Sequence, residues 1–196
     1  MRRSFTPRPY HGLAMAHLAG VPRSAIFAKP GMGKSVMALT FLDYLHNVWG
    51  ESRPSLVLAP LRVARDTWAN EAGKWAHLSG IEVVPIVGTT EQRKAALRRR
   101  APVYTTNYDN LVWLKDQFKG KAWPFATVVA DESTKLKSFR LRQGGVRAQA
   151  LAKVAHKDVE RWINLTGTPA SNGLADLWGQ TWFLDAGQRL GRTFSA

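Results

Sequence analysis

Between Ala28 and Ser35 the chain reads Ala-Lys-Pro-Gly-Met-Gly-Lys-Ser, two glycines, two lysines and a hydroxyl within eight residues. A triphosphate needs many donors converging on a small volume. Gly31 and Gly33, with Pro30 and Met32 between and before them, let the backbone curl with its N–H groups inward and no side chain in the way. Lys34 reaches the β- and γ-phosphates as a point charge and Ser35 places its hydroxyl on Mg²⁺. A helix opening there adds its dipole and its free N–H groups. Ala28 stands where such loops usually begin with glycine. The pattern is that of a P-loop; the plainer reading is a glycine-rich turn before a helix.

Two further groups complement it. Asp131-Glu132 follows an apolar run directly: the Asp can hold Mg²⁺ and the Glu can polarise a water against the γ-phosphate, unless the pair merely caps a turn. Thr166-Gly167-Thr168-Pro169 follows another apolar run. Its two hydroxyls could relay γ-phosphate occupancy to a neighbouring surface; taken alone it is a turn.

Such groups converge only if strands deliver them to one edge. Ser24 to Phe27 reads as a short buried strand, and Met37, Phe41, Tyr44, Leu45 and Val48 mark one face of the helix after the loop. Arg8 to Gly20 predicts a helix, Ser55 to Ala59 a strand, and Val63 to Trp75 a helix with Ala64, Trp68, Ala72 and Trp75 on one side. Ile81 to Val87 predicts a strand, Thr90 to Arg100 a basic helix, and Val103 to Thr106 a strand, with Asn107 as the N-cap of a short helix through Lys115. Thr127 to Ala130 and Trp162 to Leu165 read as buried strands, Arg142 to His156 as a helix after Gly144-Gly145, and Leu174, Leu177, Trp178, Thr181 and Trp182 as the stripe of a last helix. Alternation of this kind predicts an α/β fold, a mainly parallel sheet between helix layers, with its ligand at the C-terminal ends of the strands.

Composition narrows the class. A chain of 196 residues suits one sizeable core, and the absence of cysteine excludes disulfides, thiolate catalysis and cysteine-based zinc sites. No apolar run approaches a membrane span and no signal peptide is visible at Met1-Arg2-Arg3-Ser4, which predicts a soluble chain of the cytoplasm, or of a host cell if viral. The net charge of +14 fits either a polyanionic partner, nucleic acid first, or a generally basic surface. The five histidines show no metal-ligand spacing, so Mg²⁺ arriving with the nucleotide is the expected metal.

Leu165-Thr166-Gly167-Thr168-Pro169-Ala170-Ser171-Asn172-Gly173-Leu174-Ala175-Asp176-Leu177-Trp178 resembles the third motif of the Swi/Snf-like branch of superfamily-two helicases and DNA translocases. Arg8-Pro9-Tyr10-His11 resembles that family's Arg-Pro-Tyr-Gln, whose Gln reads adenine. Leu56 to Pro60 with Trp68, Glu71, Lys74 and Trp75 resembles its motif Ia, and Tyr104 to Tyr108 its motif Ib. Asp131-Glu132-Ser133-Thr134-Lys135-Leu136-Lys137 resembles the Asp-Glu-Ala-His box and its trailing basic residues. The matches run in family order from about residue 8 to 184. Two departures stand out: His11 in place of the adenine-reading Gln, and Thr134 in place of the box His.

The resemblance implies a RecA-like P-loop NTPase fold, ATP and Mg²⁺ as cofactors, and nucleotide contacts from Arg8, Tyr10 and His11. It implies phosphate-backbone contacts from Pro60, Leu61 and Arg62 and from Thr105, Thr106 and Asn107, with double-stranded DNA as the default track. It also implies a second RecA-like lobe in cis or in trans, residues 185–196 leading toward it, and slow turnover by the first lobe alone. Lys135, Lys137, Arg140, Arg142 and Arg147 read equally as a solvated loop or a DNA-facing one, and Arg98-Arg99-Arg100 as a helix end complementing its dipole or as part of the track. Trp68, Trp75, Trp178 and Trp182 lie on apolar faces and read as core. A basic nucleic-acid-binding module with a vestigial nucleotide site is the alternative. A small nucleotide kinase would leave the Thr166 turn and the charge unexplained.

Overall fold

Short apolar runs form six strands: β1 (Arg23–Phe27), β2 (Ser55–Ala59), β3 (Val83–Pro85), β4 (Val103–Asn107), β5 (Thr127–Asp131) and β6 (Arg161–Thr166). They come from a computed structural model that describes residues 1–139 and 146–194. Every pairing is parallel, in the order β1-β6-β5-β2-β4-β3. Parallel neighbours need long crossovers. These contain α2 (Lys34–Asn47), α3 (Trp68–Lys74), α4 (Thr90–Arg98), α5 (Leu111–Gln117) and α6 (Val146–Ala155), with α1 (Pro9–Gly20) before the sheet and α7 (Ala175–Asp185) after it.

Successive strand residues point to opposite faces, and the sheet is covered on both. Leu56, Leu58, Val128, Ala130 and Trp162 join one core with Leu114 of α5, Leu151 of α6 and Phe183 of α7. Val57, Ala59, Val129, Ile163 and Leu165 join the other with Leu18 of α1, Phe41 of α2 and Trp68 of α3. The expected α/β architecture, three layers around a parallel sheet, is the observed one. The Arg23 guanidinium ties edge strand β1 to the helix layer by donating to the carbonyls of Ala155 and Phe183, which helix ends leave without intrahelical partners, and to that of Val159 just beyond α6.

Several boundaries differ from the sequence reading. Tyr44 and Val48 are exposed, because α2 buries a wide face through Val36, Leu39 and Leu42 as well as Met37, Phe41 and Leu45. The strand expected at Ile81 to Val87 contracts to Val83–Pro85 at the sheet edge. The helix expected from Val63 starts earlier, at Leu61, and passes through a π-helical turn over Val63–Thr67. Asn107 ends β4, and its side chain makes no cap bond to the 3₁₀ turn that follows. Leu174 is exposed ahead of α7. Of the helix expected from Arg142, the part before Val146, with Gly144-Gly145, lies outside the described residues, as does Arg140.

Candidate functional site

Strand order decides where the chemistry sits. β1, β6 and β5 are consecutive in the sheet, so their C-terminal ends bring the Ala28–Ser35 loop, the Thr166–Pro169 turn and Asp131-Glu132 together on one edge. Ala28 N–H donates to Thr166 O at 3.1 Å and carries the β1–β6 pairing into the loop. Gly31 and Gly33 take φ of 81° and 75°, the left-handed region that side chains disfavour, and Gly33 is the residue from which α2 starts. Ala28 has no positive φ, which explains why alanine serves where glycine is usual. Lys34 Nζ lies across the loop, donating to Ala28 O at 2.7 Å and Lys29 O at 3.3 Å.

The Thr166 turn supports the loop physically. A Cβ on Gly167 would lie 3.0 Å from Pro30 Cδ and 3.4 Å from Ala28 O. Gly167→Ala is therefore expected to push the loop out of shape and weaken ATP binding about tenfold, an overpacking effect of roughly 1–2 kcal/mol. Titration with a fluorescent ATP analogue checks it, and unchanged affinity rejects it.

Asp131 is buried beneath the loop. Trp68 Nε1–H donates to its Oδ2 at 3.0 Å, Glu132 N–H donates to its Oδ1 at 3.1 Å, and Tyr108 Oη donates to its main-chain oxygen at 2.8 Å. Burial pushes the Asp131 carboxyl upward and the adjacent Glu132 charge adds to this, while the Trp68 and Glu132 N–H donors and the nearby Lys34 ammonium oppose it. Burial, then the two carboxylates, raises Tyr108 well above the ordinary phenol range, so its hydroxyl stays a donor. Glu132 sits at φ 54°, a left-handed conformation for a residue with a side chain, and strain of about 1 kcal/mol or more persists only where surroundings enforce it.

Gln180 was not singled out by its sequence context, yet it joins two of the motifs. It is buried, accepts from Ser133 Oγ at 2.7 Å and donates to Pro169 O at 2.7 Å, linking the residue after the acidic pair to the Thr166 turn. No local signal marks it, because both partners are distant in sequence.

Ser35 and Asp131 offer hard oxygen ligands, and the glycine loop offers inward N–H groups, so the residues present fit a magnesium-bound nucleoside triphosphate. Among the described residues no cluster of three or more His, Asp or Glu could hold a metal. Beside the loop is a cavity of about 420 Å³ lined by Phe5, Tyr10, His11, Gly33, Glu71 and Trp75 among others. His11 is buried against it. Arg8 N–H donates to His11 Nδ1 at 2.9 Å, so in the neutral ring Nε2 carries the hydrogen, and it faces Met32 O at 3.4 Å. A Cβ on Gly33 would meet this ring at 3.2 Å. Arg8 is exposed, with its guanidinium on the Tyr10 hydroxyl at 3.3 Å.

Residues 14–189 match the family model of the SNF2-related domain. The chain belongs to that family. It is 59% identical over 195 residues to a putative protein, p41, of Acyrthosiphon pisum secondary endosymbiont phage 1, covering 99% of this chain and 42% of that one. It is 30% identical over 193 residues to the helicase SWR1 of Yarrowia lipolytica, covering 91% of this chain and 10% of SWR1. The chain thus spans less than half of these relatives. The SWI2/SNF2 ATPase core of Sulfolobus solfataricus, solved in complex with dsDNA, has the same fold at a TM-score of 0.67 and 24% identity, over 94% of this chain and 36% of that one. The RecA-like lobe of a Swi/Snf-like ATPase, expected from the motifs, is the fold found.

The rest of the strand edge of this SNF2-related domain belongs to β2 and β4. Leu61 and Arg62 are exposed and Pro60 is half-buried. Thr105 and Thr106, expected to offer hydroxyls to phosphates, are fully buried inside β4 and donate instead to Ala64 O and Ile86 O. Asn107 is also buried, with Nδ2 near Asp109 at 3.3 Å. The two threonine side chains point to opposite faces of the sheet, where the π-helical turn takes the Thr105 hydroxyl and the segment after β3 takes that of Thr106. Lys135 is exposed, whereas Lys137 pairs with Asp176 at 3.4 Å and Arg147 with Asp109 at 2.7 Å. Arg99, past the end of α4, pairs with Glu82. Trp178 and Trp182 are core, as expected, and Trp178 donates to Gly191 O at 3.1 Å, folding residues 186–194 back onto α7. No helix among the described residues is long and apolar enough to cross a membrane.

Proposed function

We propose that this SNF2-related domain is the ATP-binding lobe of a DNA translocase or helicase, hydrolysing ATP when a second lobe and duplex DNA complete the site. The observation that carries this is the division of one strand edge. β1, β6 and β5 present the phosphate loop, the Thr166 turn and the acidic pair, while neighbouring β2 and β4 end in Pro60–Arg62 and Asn107. The dsDNA complex of the Sulfolobus core and the helicase SWR1 support the same reading.

Lys34 and the loop N–H groups hold the β- and γ-phosphates. Ser35 and Asp131 would hold the magnesium ion, which would neutralise charge developing on the phosphates. Glu132 orients the attacking water and takes its proton. The nucleotide base lies in the cavity beside His11. There both ring nitrogens face protein groups, so the rings of Phe5 and Tyr10 remain to meet the base. Leu61, Arg62 and main-chain groups at the β2 and β4 ends grip the DNA backbone without reading bases, as a translocating motor requires. The hydroxyls of Thr105 and Thr106 shape that surface from beneath, and exposed Lys135 extends it.

Lys34→Ala tests the reading. Nucleotide binding and DNA-stimulated phosphate release are expected to fall by about 10²–10³-fold, the scale of removing one donor to developing charge. DNA-dependent activity that survives unchanged would overturn it in favour of a basic binding module.

A further inference from the structure

The acidic pair is held from two sides by aromatic side chains that belong to the two nucleic-acid segments. Trp68, whose indole reaches Asp131 Oδ2 at 3.0 Å, comes six residues after Arg62. Only the π-helical turn Val63–Thr67 lies between them. Tyr108, whose hydroxyl reaches Asp131 O at 2.8 Å, follows Asn107 directly. Both bonds are fully buried, so water does not compete for either. Thr105 pins the π-helical turn by donating to Ala64 O, so the two segments are also tied to each other beneath the edge.

We infer that Trp68 and Tyr108 are positioning residues through which nucleic acid, seated on Pro60–Arg62 and the end of β4, sets the placement of Asp131 and Glu132 for the nucleotide. This rests on the functional reading above. The physical lever is the π-helical turn. It holds one more residue per hydrogen-bonded ring than an α-turn, and such turns recur at functional sites. A shift of the Pro60–Arg62 segment, whose Leu61 and Arg62 already form the first residues of the helix, alters how that turn winds and where the Trp68 indole falls relative to Asp131. On the other side, movement at Asn107 carries the Tyr108 hydroxyl with it. Glu132, at φ 54°, has a conformation that its surroundings impose, so a change in either support reaches the residue proposed to orient water. The same helix α3 continues to Glu71, whose Oε1 accepts from Trp75 Nε1 at 2.6 Å on the wall of the base cavity. One short helix therefore touches the nucleic-acid loop, the acidic pair and the base cavity.

Both supports lie within this lobe, so the coupling is a property of the full chain by itself and is read from binding rather than turnover. The affinity of a fluorescent ATP analogue with Mg²⁺ is measured without and with saturating duplex DNA. The ratio is compared among the wild type, Trp68→Phe, which replaces the indole by a smaller ring without the donor, and Tyr108→Phe, which keeps the ring and deletes the donor. Ser55→Ala is the control, deleting a buried hydroxyl whose Oγ lies 2.9 Å from His46 Nε2 at the opposite end of β2 from Pro60. The wild type is expected to show a ratio of about 5 or more, within the usual range of coupling between sites. Trp68→Phe and Tyr108→Phe are expected to bring it to within about twofold of one, with Ser55→Ala unchanged. Thermal melting identifies any variant that fails to fold; Thr105→Val, which contacts neither Asp131 nor nucleotide, then serves in its place and is expected to lower the ratio likewise. A wild-type ratio preserved in the folded variants overturns the inference. A ratio of one in the wild type overturns the nucleic-acid reading beneath it.

Discussion

Glu132→Gln is expected to slow DNA-stimulated ATP hydrolysis by about 10²–10⁴-fold, the usual contribution of a positioned general base. Affinity for the ATP analogue should stay within about threefold of the wild type. The substitution keeps the side chain's shape and removes only its ability to take a proton. Triphosphate and magnesium are held, on this reading, by Lys34, Ser35 and Asp131, which the change leaves in place. Single-turnover phosphate release beside equilibrium binding checks both halves, and a rate within tenfold of the wild type would remove Glu132 from the mechanism. The effect is sharp because the residue has little freedom to be replaced by a neighbour. Its backbone is fixed at φ 54° between Asp131, bonded on both sides, and buried Ser133, bonded to Gln180.

The second large effect concerns stability. In the middle of α7, a Cβ on Gly179 would stand 2.3 Å from Leu136 O and 3.0 Å from Lys137 O. Both obstacles are backbone, so no rotamer change relieves them. Gly179→Ala is expected to destabilise the fold by about 1–3 kcal/mol, as overpacking does. For a chain of this length that lowers the melting temperature by roughly 3–10 °C. Calorimetry reads the shift, and a change below about 1 °C would show that α7 can move aside freely. In an isolated helix the same exchange would be favourable, since alanine is the better helix former. The sign is reversed by the close approach of α7 to the 3₁₀ turn Ser133–Leu136, which follows the acidic pair. Stability and site geometry meet at this contact.

Much of the fold is written locally. The runs Ser55–Ala59 and Thr127–Ala130 are apolar because each strand lies between two helix layers, and that is visible without coordinates. The same holds for the phosphate loop, where the positive φ of Gly31 and Gly33 is a demand only glycine meets cheaply. Errors gathered where tertiary contacts override periodicity. Tyr44 and Val48 continue a helical stripe yet are exposed, because the face that α2 turns to the core runs through Val36, Leu39 and Leu42 instead. Thr105 and Thr106 read as polar groups free to grip phosphate, but they are buried on opposite faces of the sheet with their hydroxyls on Ala64 O and Ile86 O.

Trp68 shows the boundary between the two kinds of information. Its place on an apolar face was legible from spacing alone, and it is indeed fully buried. That its indole N–H meets Asp131, 63 residues later, was not, because nothing near Trp68 in the chain names its partner. The chain by itself determined the phosphate-binding loop, the acidic pair, the alternating elements and the family. Only the tertiary structure decided that β6 stands between β1 and β5, that Gln180 joins the acidic pair to the Thr166 turn, and that Trp68 and Tyr108 brace Asp131. Motif chemistry is local because a few consecutive residues must surround one ligand. Support is non-local because a buried hydrogen-bonding group needs a partner from whichever element packs against it.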